Sequence, residues 1–262
     1  MRAIGDASGP VQGGDYVAGF LLLLLFLILA VGAFFVWLAT RHARERRAWA
    51  AAELRQRPLR PWSDASEFRP EIFDSPCRWL AVRTTEPRAV QKALKLANPT
   101  LCTWAEGLAE ARDRRLFITP PIGEWVLVVG PGLPDPSDDV DECYHLLTDL
   151  SRKLGLVQYF SLNCALGHHT WARLDNGEVL RAYAWVGHVA WNQGLPSPAE
   201  LGLGLKCYEY FEHVEKNWDE PNDPILQNLE RLPMLAARWS VDPAALDERH
   251  FATGRGIVGE MT

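Results

Sequence analysis

The sequence has no two cysteines closer together than 21 residues: the five, at positions 77, 102, 143, 164 and 207, include no CxxC pair. An odd count at such spacings excludes a disulfide framework and the usual zinc-site patterns, and predicts five reduced, mostly buried thiols in a reducing compartment. The GxSxG turn of hydrolases that work through a covalent intermediate, the GxxxxGK[ST] phosphate loop and the HExxH zinc motif are also missing. No basic stretch precedes the first hydrophobic run, because residues 1–16 carry only Arg2 against Asp6 and Asp15, so the n-region of a cleaved signal peptide is absent. Residues 61–262 lack a basic surplus as well: nineteen Lys/Arg against twenty-nine Asp/Glu leave a net charge of −10, which excludes a nucleic-acid face.

What the sequence does have is a run of 23 residues without a charge, Val17 to Ala39, with Tyr16 and Trp37 near its ends. As a helix it would be about 34 Å long, enough to span a bilayer, with aromatics where interfacial residues belong. Seven arginines follow at 41, 44, 46, 47, 55, 57 and 60. Positive flanks stay in the cytoplasm, so the chain is expected to sit in the inner (plasma) membrane with residues 1–16 outside and the main domain inside. Residues 40–76 read as a basic helical stalk that Pro58 and Pro61 end, and residues 77–262 as the folded domain.

In that domain RWLAVRT (78–84) predicts a strand, and a helix opened at Thr85 with Pro87 in its first turn runs through Leu96 to an end at Asn98-Pro99. Thr103 and Glu106 form a capping box for a second short helix to about Asp113. LFITPPI (116–122) and EWVLVVG (124–130) are two strands joined near Gly123. The longest helix follows Ser137 and ends at Leu154 before Gly155, and LVQYFSLN (156–163) is another strand. This order predicts an α+β fold with a ferredoxin-like βαββαβ core. Asn176-Gly177 then marks a hairpin between HTWARLD and EVLRAYAWVG, and HVAWNQG adds a strand across Gly187. The core is thereby extended by an antiparallel meander. Capping signals at Ser197, Asp223-Pro224 and Asp242-Pro243 predict C-terminal short helices, followed by a flexible Gly-rich tail, GRGIVGEMT.

Three motifs have simpler explanations than function. GRGIVG (254–259) matches GxGxxG in letters but lacks room for the helix that would aim amides at a pyrophosphate. DPSDDVDE (135–142) starts like a calcium loop, yet Val140 and Leu146 stand where Gly and Glu are required, so helix capping accounts for it. His168 and His169 are the only histidine pair and the weak candidates for a metal; adjacent strand residues point to opposite faces, and no third ligand sits at a useful spacing. No motif implies a cofactor.

Eleven tryptophans are the compositional excess. Core packing accounts for most of them. Trp171, Arg181, Tyr183, Trp185 and Trp191 on the meander nevertheless have the composition of a protein-binding hot spot, with Arg181, Tyr183 and Trp185 on one face. The expected function is a membrane-anchored module that binds another protein on the cytoplasmic side. A bacterial immunity protein or an envelope or secretion adaptor would have this plan. The alternative is a membrane-tethered enzyme or small-ligand sensor with a pocket between the sheet and the C-terminal helices; the sequence neither specifies an enzyme nor excludes one, and weighs toward binding.

Overall fold

The computed structural model describes residues 20–25, 29, 31–32, 77–111, 115–212, 214, 223–241, 246 and 254–261. The chain divides between Arg57 and Pro58 into two units. In the first, the described residues are helical, and no helix among the described residues is long and apolar enough to cross a membrane. Most of the predicted span, with the 40–76 stalk and the Asp242-Pro243 start signal, lies outside the described residues.

The second unit is an α+β fold built on a nine-stranded antiparallel sheet. Its strands are β1 (Cys77–Arg83), β2 (Leu96–Cys102), β3 (Leu116–Ile118), β4 (Trp125–Val129), β5 (Val157–Asn163), β6 (His168–Asp175), β7 (Glu178–Trp185), β8 (Val189–Gln193) and β9 (Gly256–Met261). They lie in the order β2-β9-β3-β4-β1-β5-β6-β7-β8. Among the described residues five helices accompany them: α1 (Pro87–Ala93), α2 (Trp104–Glu110), α3 (Val140–Leu154), α4 (Pro198–Leu203) and α5 (Pro224–Trp239).

Both faces of the sheet are covered, which is why β3 and β4 are nearly all apolar instead of alternating. Val90 and Leu94 of the α1 region and Cys143, Leu147 and Leu150 of α3 pack on one face against Leu80, Val82, Val126 and Val128. On the other face α2, α4 and α5 cover Trp79, Phe117, Leu127, Phe160 and Trp171. Local signals place several elements. Thr103 and Ser197 each form a reciprocal capping box, and Asp223 Oδ1 accepts from Ile225 N at 2.7 Å. Helix α3 starts two residues later than expected, on Asp139, whose carboxylate accepts from the amides of Asp141 and Glu142. It is 15 residues long against 16 for α5, so it is not the longest.

Two expectations are corrected. The helix expected to reach Leu96 stops at Ala93, and residues 96–102 form the edge strand β2; Lys95 (φ 53°) and Asn98 (φ 48°) take left-handed backbone on the way. Pro99 is tolerated because β2 is an edge strand with a register shift between Ala97 and Thr100. The GRGIVGEMT tail is not a loose end. Its residues 256–261 are β9, inserted between β2 and β3, with Leu101 and Ile118 both facing Ile257. Its glycines serve close approach: a Cβ on Gly256 would run into the Phe117 ring and the Ile118 carbonyl.

Candidate functional site

The meander that carries the predicted binding residues is organised by its turn. Asn176 (φ 49°) and Gly177 (φ 87°) both take positive φ, as a two-residue hairpin requires, and Gly177 N donates to Ser151 Oγ at 3.0 Å. A register shift between Arg173 and Leu174 leaves Arg173 opposite Arg181, Trp171 opposite Tyr183 and His169 opposite Trp185.

None of the five predicted residues is exposed. Trp171 and Tyr183 pack with ring centroids 4.8 Å apart, and Trp185 packs on Tyr208 at 5.2 Å. Arg181 Nε donates to Glu200 Oε1 at 2.8 Å, an atom that also accepts from Trp171 Nε1 at 2.8 Å. The rest of the guanidinium is used on Asn192 Oδ1, the carbonyls of Ala182, Gln193 and Gly194, and Cys207 Sγ. Trp191 is separated from the other four by the sheet: it lies in the opposite core, edge-on to Tyr144 at 5.9 Å. The expected open aromatic face is therefore interior. Helices α4 and α5 and the 205–208 segment cover it, and the arginine is retained there because a buried carboxylate neutralises it.

The histidines separate as adjacent strand residues must. His169 is buried, its ring parallel to Trp171 at 5.7 Å, and burial pushes its pKa down to about 3. Asn228 exchanges two hydrogen bonds with the backbone of Lys206, which fixes its amide orientation, and its Nδ2 lies 3.1 Å from His169 Nε2. That nitrogen is therefore an acceptor and Nδ1 carries the proton, toward Gly167 O at 3.3 Å. No group of three or more metal-ligating side chains exists among the described residues.

A polar stripe crosses the same face one register step away: Gln158, Arg173 and Arg181 are cross-strand neighbours. Gln158 Nε2 donates to Trp239 O at 2.9 Å, and the Arg173 guanidinium lies over the Trp239 ring at 5.9 Å. Three buried atoms here have no hydrogen-bond partner among the described residues: Gln158 Oε1, Arg173 Nε and Trp239 Nε1. One acceptor and two donors beside a cation are what a small polar guest would satisfy.

Exposed apolar side chains gather elsewhere, around the end of the edge strand β8. Leu180, Leu195, Tyr210 and Phe211 are all exposed, Leu195 at 87%. Gly194 lies against the Leu180 carbonyl, and Tyr210 Oη meets Asn192 N at 2.7 Å, which draws the β7–β8 end and the 209–212 turn together. The sequence contained one sign of this turn, two aromatics between two acids in EYFE (209–212). No family model matches the chain, and no curated protein or solved structure matches it significantly.

Proposed function

We propose that this chain is a single-pass membrane protein of the inner membrane whose α+β domain faces the cytoplasm and binds another protein there. The observation that carries the reading is the uncharged run 17–39 followed by seven arginines. The described part of that run supports it: Phe20 to Leu25 are helical, and all six apolar side chains are exposed, a surface that lipid would cover. We read β3, β4, β1 and β5 with α1 and α3 as a ferredoxin-like core. Their adjacency in that order and the packing of both helices on one face support this, with β2, α2 and β9 as insertions. The binding part of the reading rests on the exposed apolar cluster beside β8, not on the buried meander.

C-terminal fusions test the topology. A fluorescent protein fused after Thr262 is expected to fluoresce and an alkaline phosphatase to be inactive; the reverse pattern overturns the orientation. Purification of the full-length chain from its own membranes tests the binding, and the absence of any stoichiometric partner would count against it.

A second reading, a small-ligand sensor, is favoured by the unpartnered atoms of Gln158, Arg173 and Trp239. Titration of the full-length protein with inorganic phosphate and with small carboxylates is its test. A quench of tryptophan fluorescence that Arg173→Met abolishes would support it, and no spectral change up to millimolar concentrations would end it.

A further inference from the structure

The segment after α4 ends in the turn Glu209–Tyr210–Phe211–Glu212, whose two ends are bonded twice. Glu212 N donates to Glu209 O at 3.2 Å, and Glu209 N donates to Glu212 Oε2 at 2.8 Å. The turn is also fastened to the sheet: Asn192 N donates to Tyr210 Oη at 2.7 Å, and Asn192 Nδ2 donates to Tyr208 O at 3.2 Å. At its tip Phe211 has φ 66°, a conformation that suits glycine, and its side chain is fully exposed at 103%. Left-handed backbone at an aromatic residue and a phenyl ring in water are both unfavourable. A rigid turn that holds such a residue outward is the kind of local strain that functional sites retain. Glu209 and Glu212, both exposed, bracket it in the chain with negative charge, and Tyr210 fastens the turn to β8, at whose end Leu195 is also exposed.

We propose that Phe211 is the anchor of the binding surface, inserting into an apolar pocket of a partner protein whose rim carries lysine or arginine. The proposal rests on the reading of the domain as a protein-binding module and names the surface and the chemistry that reading leaves open. An aromatic side chain that fills a pocket at the centre of a small interface is the usual source of most of its affinity. Charge decides between a protein and a lipid surface. Insertion into the inner leaflet would bring two carboxylates, on a domain of net charge −7 over residues 77–262, against anionic head groups, whereas a basic rim complements them.

The test replaces Phe211 with p-benzoylphenylalanine in the full-length chain in its own membranes, with the same replacement at exposed Leu101 on the opposite edge of the sheet as control. Irradiation is expected to give one protein adduct from position 211 and none from 101, mapped by mass spectrometry to an apolar site flanked by Lys or Arg. The protein so identified, once purified, should bind the full-length chain about 30-fold more weakly when Phe211→Ser is introduced. Glu209→Gln with Glu212→Gln should weaken binding several-fold and reduce its salt dependence. Phe211→Gly should raise Tm while weakening binding, because it relieves the backbone and deletes the anchor. An adduct with lipid or with a second copy of the chain overturns the proposal. So does a partner that is captured from position 101 instead of 211, or one whose affinity Phe211→Ser does not change; both of these leave the binding reading standing. Absence of any protein partner in both cross-linking and purification would remove the two together.

Discussion

Arg181 and Glu200 form an ion pair of 2.8 Å in which the side chains are 3% and 1% exposed. Glu200 has two further duties: it accepts from Trp171 Nε1, and its other oxygen accepts from Ser197 N at 2.7 Å as part of the α4 capping box. Removing the carboxylate strands a guanidinium in the core and unfastens a helix terminus. Glu200→Ala is expected to destabilise the domain by about 3–5 kcal/mol, the usual cost of breaking a buried pair from one side. Arg181→Met with Glu200→Leu is expected to cost less than the sum of the two single changes by about 2 kcal/mol, since no charge is then left alone. Urea denaturation followed by tryptophan fluorescence measures both, and additive losses would mean that the two groups are not coupled.

Phe117 is held between two glycines, Gly107 on α2 and Gly256 on β9, and a Cβ at either position would overlap its ring. The ring also meets Trp104 edge-on at 5.5 Å, so it has no free direction in which to yield. Gly256→Ala is expected to cost about 1–3 kcal/mol as an overpacked core contact, and Phe117→Leu should recover part of that loss. Deleting residues 256–262 removes the strand that joins β2 to β3, leaving β2 without a partner and the buried apolar strand β3 with an unpaired edge. That variant should be insoluble, and a soluble monomer with native circular dichroism would show that β9 is dispensable.

These two cases mark what the sequence could and could not reveal. The Asn176-Gly177 hairpin and the caps at Thr103, Ser197 and Asp223 are local, and each is where the residues indicated. Strands β2 and β9 were not legible because each is stabilised by pairing with the other, 156 residues away at Leu101 and Ile257, more than by a pattern of its own. The period-two pattern of the meander correctly put Arg181, Tyr183 and Trp185 on one face. It could not say that α4 and α5 would cover that face, which is a tertiary outcome. Nor could composition foresee Phe211, whose prominence comes from a positive φ and from the bond that ties Tyr210 to the sheet edge.

The thiols give a chemical test of burial. None of the five cysteines is in a disulfide. Burial pushes Cys102 and Cys207 up to about 11 from an ordinary 9.0, and burial pushes Cys143 up as well. At pH 8 a two-unit rise lowers the thiolate fraction about 100-fold, and the thiolate is the reactive form. Iodoacetamide should therefore label Cys102 and Cys207 in the native protein at least ~100-fold more slowly than in urea, as read by mass spectrometry of quenched time points. Native labelling as fast as in urea would show that these sulfurs are open to solvent and not held as described.

His169 gives the domain a predictable response to acid. Its ring is neutral, with Nε2 accepting from Asn228 and Nδ1–H directed at Gly167 O, and burial lowers its pKa from 6.5 to about 3. A proton on Nε2 would face the Asn228 amide hydrogens donor to donor. The unfolded chain takes up that proton near pH 6.5 and the folded chain does not, so protons favour the unfolded state as pH falls. This contribution is fully present above about pH 6.5 and is lost at about 1.4 kcal/mol per pH unit below it, down to about pH 3. His169→Gln lacks this titration. It should be less stable than the parent at pH 7.5, because the imidazole packs on Trp171, but the gap should narrow steadily between pH 6.5 and pH 4.5. Stability curves of the two proteins across that range decide it, and a gap that stays constant would mean that His169 binds a proton in the folded state as readily as in the unfolded one.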